Sequence, residues 1–398
     1  MKYLLNLLLI SMVFMLFSAD ITAEEPSEIT TSFKNFPQKI EGKENVVEDI
    51  VKPADYISAQ TETIDKNKKT LTQKEWNLID SLSVEVDIPA NSLVGVMVNQ
   101  ETKKMQFLSP YVYTENAMKA INKVPLWMKV KLQITLGLLD GDLQDKYADI
   151  ILNTEHPYID EVAYAIAYSS TKYLSSPHSY SKLFTENAEL IYENDEFLDY
   201  VDVKDYGSPN TNPDYYSTVV YKKKNENGEI IDVEVPKDVY YMYIVHPKIT
   251  DEIQTYVDPD YMEYLPNSND RTNNIKSPEN GGVFWRNYLF NHTEEKPDSE
   301  ELFELLKEEA QKAEILWNDK VKEDSTAAIW EVNDWVRDVL EFTSEQERPH
   351  QPVRIYDLHI GRCGEHEDLT AAAARSCLIP CRGVERSSTD HVWNEFWD

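Results

Sequence analysis

Two residues near the C-terminal end of the chain, Cys363 and His391, have the types and setting of a nucleophilic thiol and its base. Cys363 stands in Gly361-Arg362-Cys363-Gly364-Glu365, directly before an alanine-rich segment, Asp368 to Ser376, that reads as a helix. A cysteine at a helix start meets unpaired backbone N–H groups and the positive end of the helix dipole, which favour a thiolate over a thiol. His391 opens the apolar stretch Val392-Trp393-Asn394-Glu395-Phe396-Trp397, which reads as a strand. An imidazole near the thiol would take its proton and return it to a leaving group. Strand alternation puts His391, Trp393, Glu395 and Trp397 on one face and Val392, Asn394 and Phe396 on the other.

The neighbouring residues have quieter expected roles. Glu365 and Arg362 are expected to fix the helix start, Asp390 to shape the turn before the strand, and Trp393 and Trp397 to serve as core or cleft-wall aromatics. His359 and His366 flank the cysteine as His359-x3-Cys363-x2-His366, but a metal-bound thiolate would be lost as a nucleophile and the spacing matches no closed zinc set. No metal and no cofactor is therefore expected. Cys377 and Cys381 are expected to be buried free thiols, although export would permit a disulfide. Asn291-His292-Thr293 is a formal glycosylation sequon.

The motifs Gly361-Arg362-Cys363-Gly364-Glu365, Ala373-Ala374-Arg375, Leu378-Ile379-Pro380-Cys381-Arg382 and Ser388-Thr389-Asp390-His391-Val392-Trp393-Asn394-Glu395 together resemble the transglutaminase-like superfamily core, in its peptide N-glycanase style. The likeness covers about Ser325 to Asp398, and the 28 positions between Cys363 and His391 suit it. It implies an α+β, papain-like core: a helix carrying the cysteine, packed on an antiparallel sheet carrying the histidine. It also implies amide attack through a thioester, with Cys363 as nucleophile and His391 as base. In that family a third residue orients the histidine from the next strand, whereas this sequence ends at Asp398, seven positions after His391. The third role is not carried onto Asp398, and the sequence is expected to be an N-terminal piece of a longer protein. The paired Cys-x-x-Cys zinc elements of eukaryotic peptide N-glycanases, and the Trp that follows their Cys-Gly-Glu, are absent here, so glycan release is not implied.

Upstream, Leu4 to Phe17 is a 14-residue apolar run behind Met1-Lys2, followed by small residues at Ala19 and Ala23. It is shorter than the roughly 20 residues of a spanning helix and reads as a signal peptide over 1–23, with no integral membrane segment after cleavage. Residues 24–70 read as an acidic linker, 71–210 as a helical domain, 211–290 as a β-containing region with a hairpin around Asn227-Gly228 and a long loop, and 298–398 as an incomplete transglutaminase-like core. Val239 to Val245 is a candidate third strand. Asp298, with Glu301 three residues on, resembles a capping box opening a helix.

With 71 acidic against 39 basic residues and a net charge of −32, the chain does not have the charge of a nucleic-acid binder. Its 3 cysteines exclude a disulfide-dense scaffold. No Asp-x-Asp-x-Asp-Gly calcium loop occurs. The expectation is an exported thiol enzyme, periplasmic or extracellular, that hydrolyses amide bonds of a protein or peptide substrate rather than cross-linking them. The alternative is a non-catalytic transglutaminase-like binding or assembly protein.

Overall fold

The computed structural model describes residues 96–98, 105–107, 111–261, 274–296, 300–343, 347–386 and 391–397. The expected signal peptide and acidic linker lie outside the described residues. Met1–Val112 and Tyr113–Asp398 separate into two compact units. In the first, β1 (Val96–Val98) pairs antiparallel with β2 (Met105–Phe107), Met97 opposite Gln106. A strand pair here departs from the helical reading of 71–210; the β-branched Val96 and Val98 favour extended backbone.

The second unit is α+β, with twelve α-helices and small sheets among its described residues. Its N-terminal part holds α1 (Glu115–Lys123), α2 (Leu126–Gly137), α3 (Gly141–Asn153), α4 (Ile159–Tyr168), the short α5 (Thr171–Leu174) and α6 (Ser181–Asp195). Side chains cap these helices: Thr114 accepts from the Ala117 N–H at 3.1 Å, and Asp140 from the Leu143 N–H at 2.9 Å. At the other end of α3, the Lys123 ammonium donates to the carbonyls of Ile151, Leu152 and Thr154 at 2.6–2.9 Å. Helix α4 is buried from Ile159 through Ala167, so it forms the centre of this part.

A three-stranded antiparallel sheet follows, in the order β3 (Val201–Tyr206), β4 (Tyr216–Lys224), β5 (Ile230–Glu234). The β4–β5 hairpin turns where Asn227-Gly228 indicates, Gly228 taking a left-handed φ of 84°. The segment expected as a third strand is instead α7 (Lys237–Tyr240) running into a π-helical turn, Tyr241–Val245. Tyr240, Tyr241, Ile244 and Val245 are buried, and that spacing buries one side of a helix but both faces of a strand. The third strand is β3, cut from the region read as helical.

This sheet and α4 meet over a buried polar cluster. Tyr241 donates to Asp160 at 2.5 Å and Ser217 to the same carboxyl at 2.9 Å, while Tyr240 donates to Glu161 at 3.1 Å. Burial pushes both carboxyls above their ordinary range.

The remaining elements are α8 (Trp285–Asn291), α9 (Leu306–Gln311), α10 (Ala328–Val339), β6 (Glu341–Phe342), α11 (Pro352–Leu358), β7 (Ile360–Gly361), α12 (Cys363–Ser376), β8 (Cys381–Glu385) and β9 (Val392–Phe396). The helix expected from Asp298 begins only at Leu306, and Asp298 lies outside the described residues. Instead, the Phe303 N–H donates to the Glu294 carbonyl at 2.9 Å and the Lys296 N–H to the Glu301 carbonyl at 2.7 Å, so these backbone groups serve a bridge rather than a helix. Helix α12 is the core of this part: Ala371 to Ala374 are fully buried, and their small side chains let α8, α10, α11 and the β8–β9 pair approach closely.

The C-terminal end of α12 is enclosed, so its last carbonyls need protein donors. Asn194 of α6 donates to Ser376 O at 2.9 Å and Tyr200 to Cys377 O at 2.6 Å, while Tyr221 reaches Leu378 O and Arg286 reaches Arg375 O. Leu378 takes the left-handed conformation, φ 58°, just past the helix end, a place glycine ordinarily fills. Asn194→Ala should cost about 1–3 kcal/mol in urea-unfolding stability, because it strands a buried carbonyl. An unchanged unfolding midpoint would show that Ser376 O needs no such donor.

Several buried carboxyls set a pH dependence. Burial, as the leading cause, raises Asp195 to about 6 and both Asp357 and Glu367 to about 7. A folded-state pKa above the unfolded one means that stability is fully present in acid and lost as pH rises through 6 and 7. The melting temperature should therefore fall between pH 5 and pH 8, and Asp357→Asn should flatten the fall. A melting temperature constant or rising over this interval would contradict the assignment.

Candidate active site

The start of α12 is built by short-range contacts that the motif dictates. Arg362 is the N-cap and Cys363 the first helical residue. Glu365 reaches back to accept the Arg362 backbone N–H at 2.8 Å, and Arg348 pairs with its other oxygen at 2.5 Å. Gly361 is required here because a Cβ at that position would sit 2.5 Å from the Glu365 Cβ. Glu365 and Arg362 thus shape the helix start, as their spacing suggests. Cys363 is half-buried and its thiol is free.

The three cysteines differ by environment. Cys377 and Cys381 are free and buried, and burial raises both thiols, Cys381 to about 12. Neither has the thiolate character of a nucleophile.

Cys363 opens into a cavity of about 360 Å³. His366 and Glu367 of α12 line it with the thiol, Asn333 comes from α10 and Phe342 from β6, and β9 supplies Val392, Trp393, Asn394 and Phe396. The β9 strand pairs antiparallel with β8, Gly383 opposite Asn394. Its alternation follows the sequence pattern: His391, Trp393 and Glu395 are exposed, while Val392, Asn394 and Phe396 are half-buried. The Asn394 amide fastens the strand to α12 by donating to the Glu367 carbonyl at 2.9 Å and to Cys381 Sγ at 3.6 Å. Gly383 is needed at this crossing, because a Cβ there would overlap the Glu367 carboxyl at 1.4 Å.

The structure thus brings Cys363 together with the strand that His391 heads. The imidazole itself lies before β9, exposed, its ring 6.0 Å from that of Trp393, and is not among the groups lining the cavity. Its backbone carbonyl accepts from the Arg386 N–H at 3.2 Å, closing the hairpin. Trp397 stands 6.2 Å from the Tyr221 ring. Glu395 pairs with Arg382 at 2.6 Å on the exposed side. Asp390 and Asp398 lie outside the described residues.

Other polar groups are engaged elsewhere. His359 Nδ1 approaches the Val339 carbonyl at 2.9 Å and its Nε2 faces Glu294. Burial alone would raise Glu294, yet hydrogen bonds from His292 and His359 hold it down to about 2. Asp251, His350 and Asp368 offer ligand atoms within 4.8 Å of one another, but His350 Nδ1 already pairs with Asp251 at 2.8 Å and Thr250 donates to Asp368. Asn291 of the sequon is exposed, its amide donating to Asn287 Oδ1 at 2.9 Å.

Four lining residues, Asn333, Phe342, Glu367 and Asn394, carry no sequence signal of a site, since they belong to separate elements or read as core. His366 does carry one: three positions after Cys363 on a helix is the same face.

No curated protein and no solved structure matches the chain. Residues 316–398 match the sequence model of the Transglutaminase-like superfamily. The matched part of the chain holds α10, α12, β8 and β9 with the Cys363 cavity, and in this part the chain is similar to the transglutaminase-like superfamily core.

Proposed function

We propose that the protein is a thiol enzyme that cleaves amide bonds of a protein or peptide substrate through a thioester at Cys363. The observation that carries this reading is the position of Cys363: first residue of a buried helix, half-exposed, opening into a cavity walled by the strand that His391 heads. Backbone N–H groups at a helix start can receive the negative charge that develops on a substrate carbonyl oxygen.

In the proposed reaction an imidazole, assigned to His391 by its place in the motif, removes the thiol proton. Sγ attacks the amide carbon, the C–N bond breaks, and the proton passes to the leaving amine. Water then attacks the thioester, giving a carboxylic acid and restoring the thiol. Hydrolysis is preferred to amine transfer because water is abundant. The aromatic and aliphatic wall of Phe342, Val392, Trp393 and Phe396 suits an apolar portion of the substrate near the scissile bond.

A second reading, a domain that binds without turnover, is favoured by one observation: the His391 ring is exposed and outside the cavity lining. Turnover separates the two. On a casein or peptide-amide substrate, Cys363→Ala should lower the rate at least about 10³-fold and His391→Gln about 10²–10⁴-fold. Activity that survives Cys363→Ala removes the thioester reading, and a wild-type protein that binds peptides without cleaving them establishes the second.

Export is part of the proposal, supported by the apolar run Leu4 to Phe17 and the small residues after it. N-terminal sequencing of the protein from its native source should find Asp20 or Glu24 first; Met1 on the mature chain would argue against it.

A further inference from the structure

We infer that Phe342 and Trp393 are specificity-determining residues of the Cys363 cavity, which takes a large apolar side chain next to the carbonyl under attack and rejects an acidic one. This rests on the reading of Cys363 as the nucleophile and deepens it by naming the substrate class.

The two aromatics come from separate elements, and backbone pairing fixes the place of each. Phe342 stands opposite Gly361 in the parallel β6–β7 pair, two positions before Cys363, and the Thr343 N–H donates to the Gly361 carbonyl at 2.9 Å. Trp393 stands opposite Val384 in the β8–β9 pair, next to the Asn394 that ties the strand to α12. Both line the cavity, and both are exposed, Phe342 at 66% and Trp393 at 37%. A single exposed aromatic is ordinary on a protein surface, but two lining one cavity that holds a thiol leave apolar area for a substrate to cover. At about 360 Å³ the cavity is near the lower end of the range for ligand sites, about 300–1,000 Å³, which suits one large side chain with its flanking backbone.

The polar lining sets the other half of the selection. The Asn333 amide nitrogen donates to the Ile329 carbonyl at 2.6 Å, and that of Asn394 is taken by the Glu367 carbonyl and Cys381 Sγ. The two side-chain oxygens are left to receive N–H groups, which any peptide backbone supplies. Among the described residues no Lys or Arg lines the cavity. Glu367 adds an acid, raised to about 7 by burial, and burial lowers the pKa of His366, so that ring is uncharged near pH 7. A substrate carboxylate would give up water here without gaining a cation, in a chain whose net charge is −32.

The test alkylates Cys363 in the whole protein with N-acetyl-aminoacyl chloromethyl ketones whose side chain beside the carbonyl is that of Gly, Leu, Phe or Glu. Sγ bonds to the methylene carbon and chloride leaves. Peptide mass spectrometry reads the rate at Cys363, divided for each reagent by its rate with N-acetylcysteine. The Phe and Leu reagents should exceed the Gly reagent by about 10–100-fold, and the Glu reagent should fall below it. Phe342→Ala and Trp393→Ala should each remove most of that preference, and Phe342→Leu should keep part of it. A wild-type Phe-to-Gly ratio near one, or a Glu reagent faster than the Gly reagent, overturns the inference whether or not the variants fold. A ratio unmoved by an alanine variant removes that residue from the role. Cys363 reacting with every reagent no faster than N-acetylcysteine would be a different failure, that of the nucleophile reading itself.

Discussion

The buried carboxyl end of α12 is the constraint on which the rest of the structure depends. A helix that begins at Cys363 and runs through the middle of its unit must end where water cannot satisfy its last carbonyls. Asn194, Tyr200, Tyr221 and Arg286 supply the missing donors, and they come from α6, β3's approach, β4 and α8. Arg375 adds a reciprocal tie, its guanidinium reaching the Cys381 carbonyl at 2.9 Å and the Lys248 carbonyl at 2.8 Å. Segments far apart in sequence are thus clamped onto one helix end, and the opposite end of that helix carries Cys363. The helical half has a mechanical role in the site even though none of its residues lines the cavity.

A second buried polar arrangement holds the helical half to its sheet. Asp160 and Glu161 are fully enclosed, and tyrosine and serine hydroxyls donate to them. Burial disfavours the charged form and raises both carboxyls, and the hydroxyl hydrogen bonds, which favour the carboxylate, offset this only in part. With Asp195, Asp357 and Glu367 shifted the same way, the strongly acidic chain keeps part of its acid inside, where burial favours the neutral form. The surface bears the remaining charge.

At the thiol end, polarity and packing are divided between elements. Helix α12 contributes the sulfur, His366 and Glu367; β9 contributes an aromatic and aliphatic wall together with the Asn394 clasp. Glycines at 361 and 383 permit the two closest approaches, of Glu365 to the helix start and of Glu367 to β8. The division suits the proposed role of Cys363: the sulfur is held by a helix, while the surface facing it is largely apolar, which strengthens charge interactions within the cavity.

The local patterns were legible without any structure. The Cys363 motif before four alanines specifies a helix start with a thiol, Glu365 three residues after the N-cap specifies its own capping contact, and Asn227-Gly228 specifies a hairpin, because each depends on residues within one turn of one another. Alternation along β9 likewise separates exposed His391, Trp393 and Glu395 from Val392, Asn394 and Phe396. Two elements fixed by their packing differ from the sequence reading: Val239 to Val245 is helical because four of its side chains face one core, and the helix expected from Asp298 is delayed by a bridge to residues 294–296. Only the tertiary structure decided that Asn333 and Phe342 meet Cys363, that the His391 ring stays outside its cavity, and that a tyrosine of β4 caps the helix that carries the thiol. Such meetings depend on packing between separate elements, 21 positions apart for Phe342 and Cys363 and 157 for Tyr221 and Leu378, and no spacing within a single element encodes them.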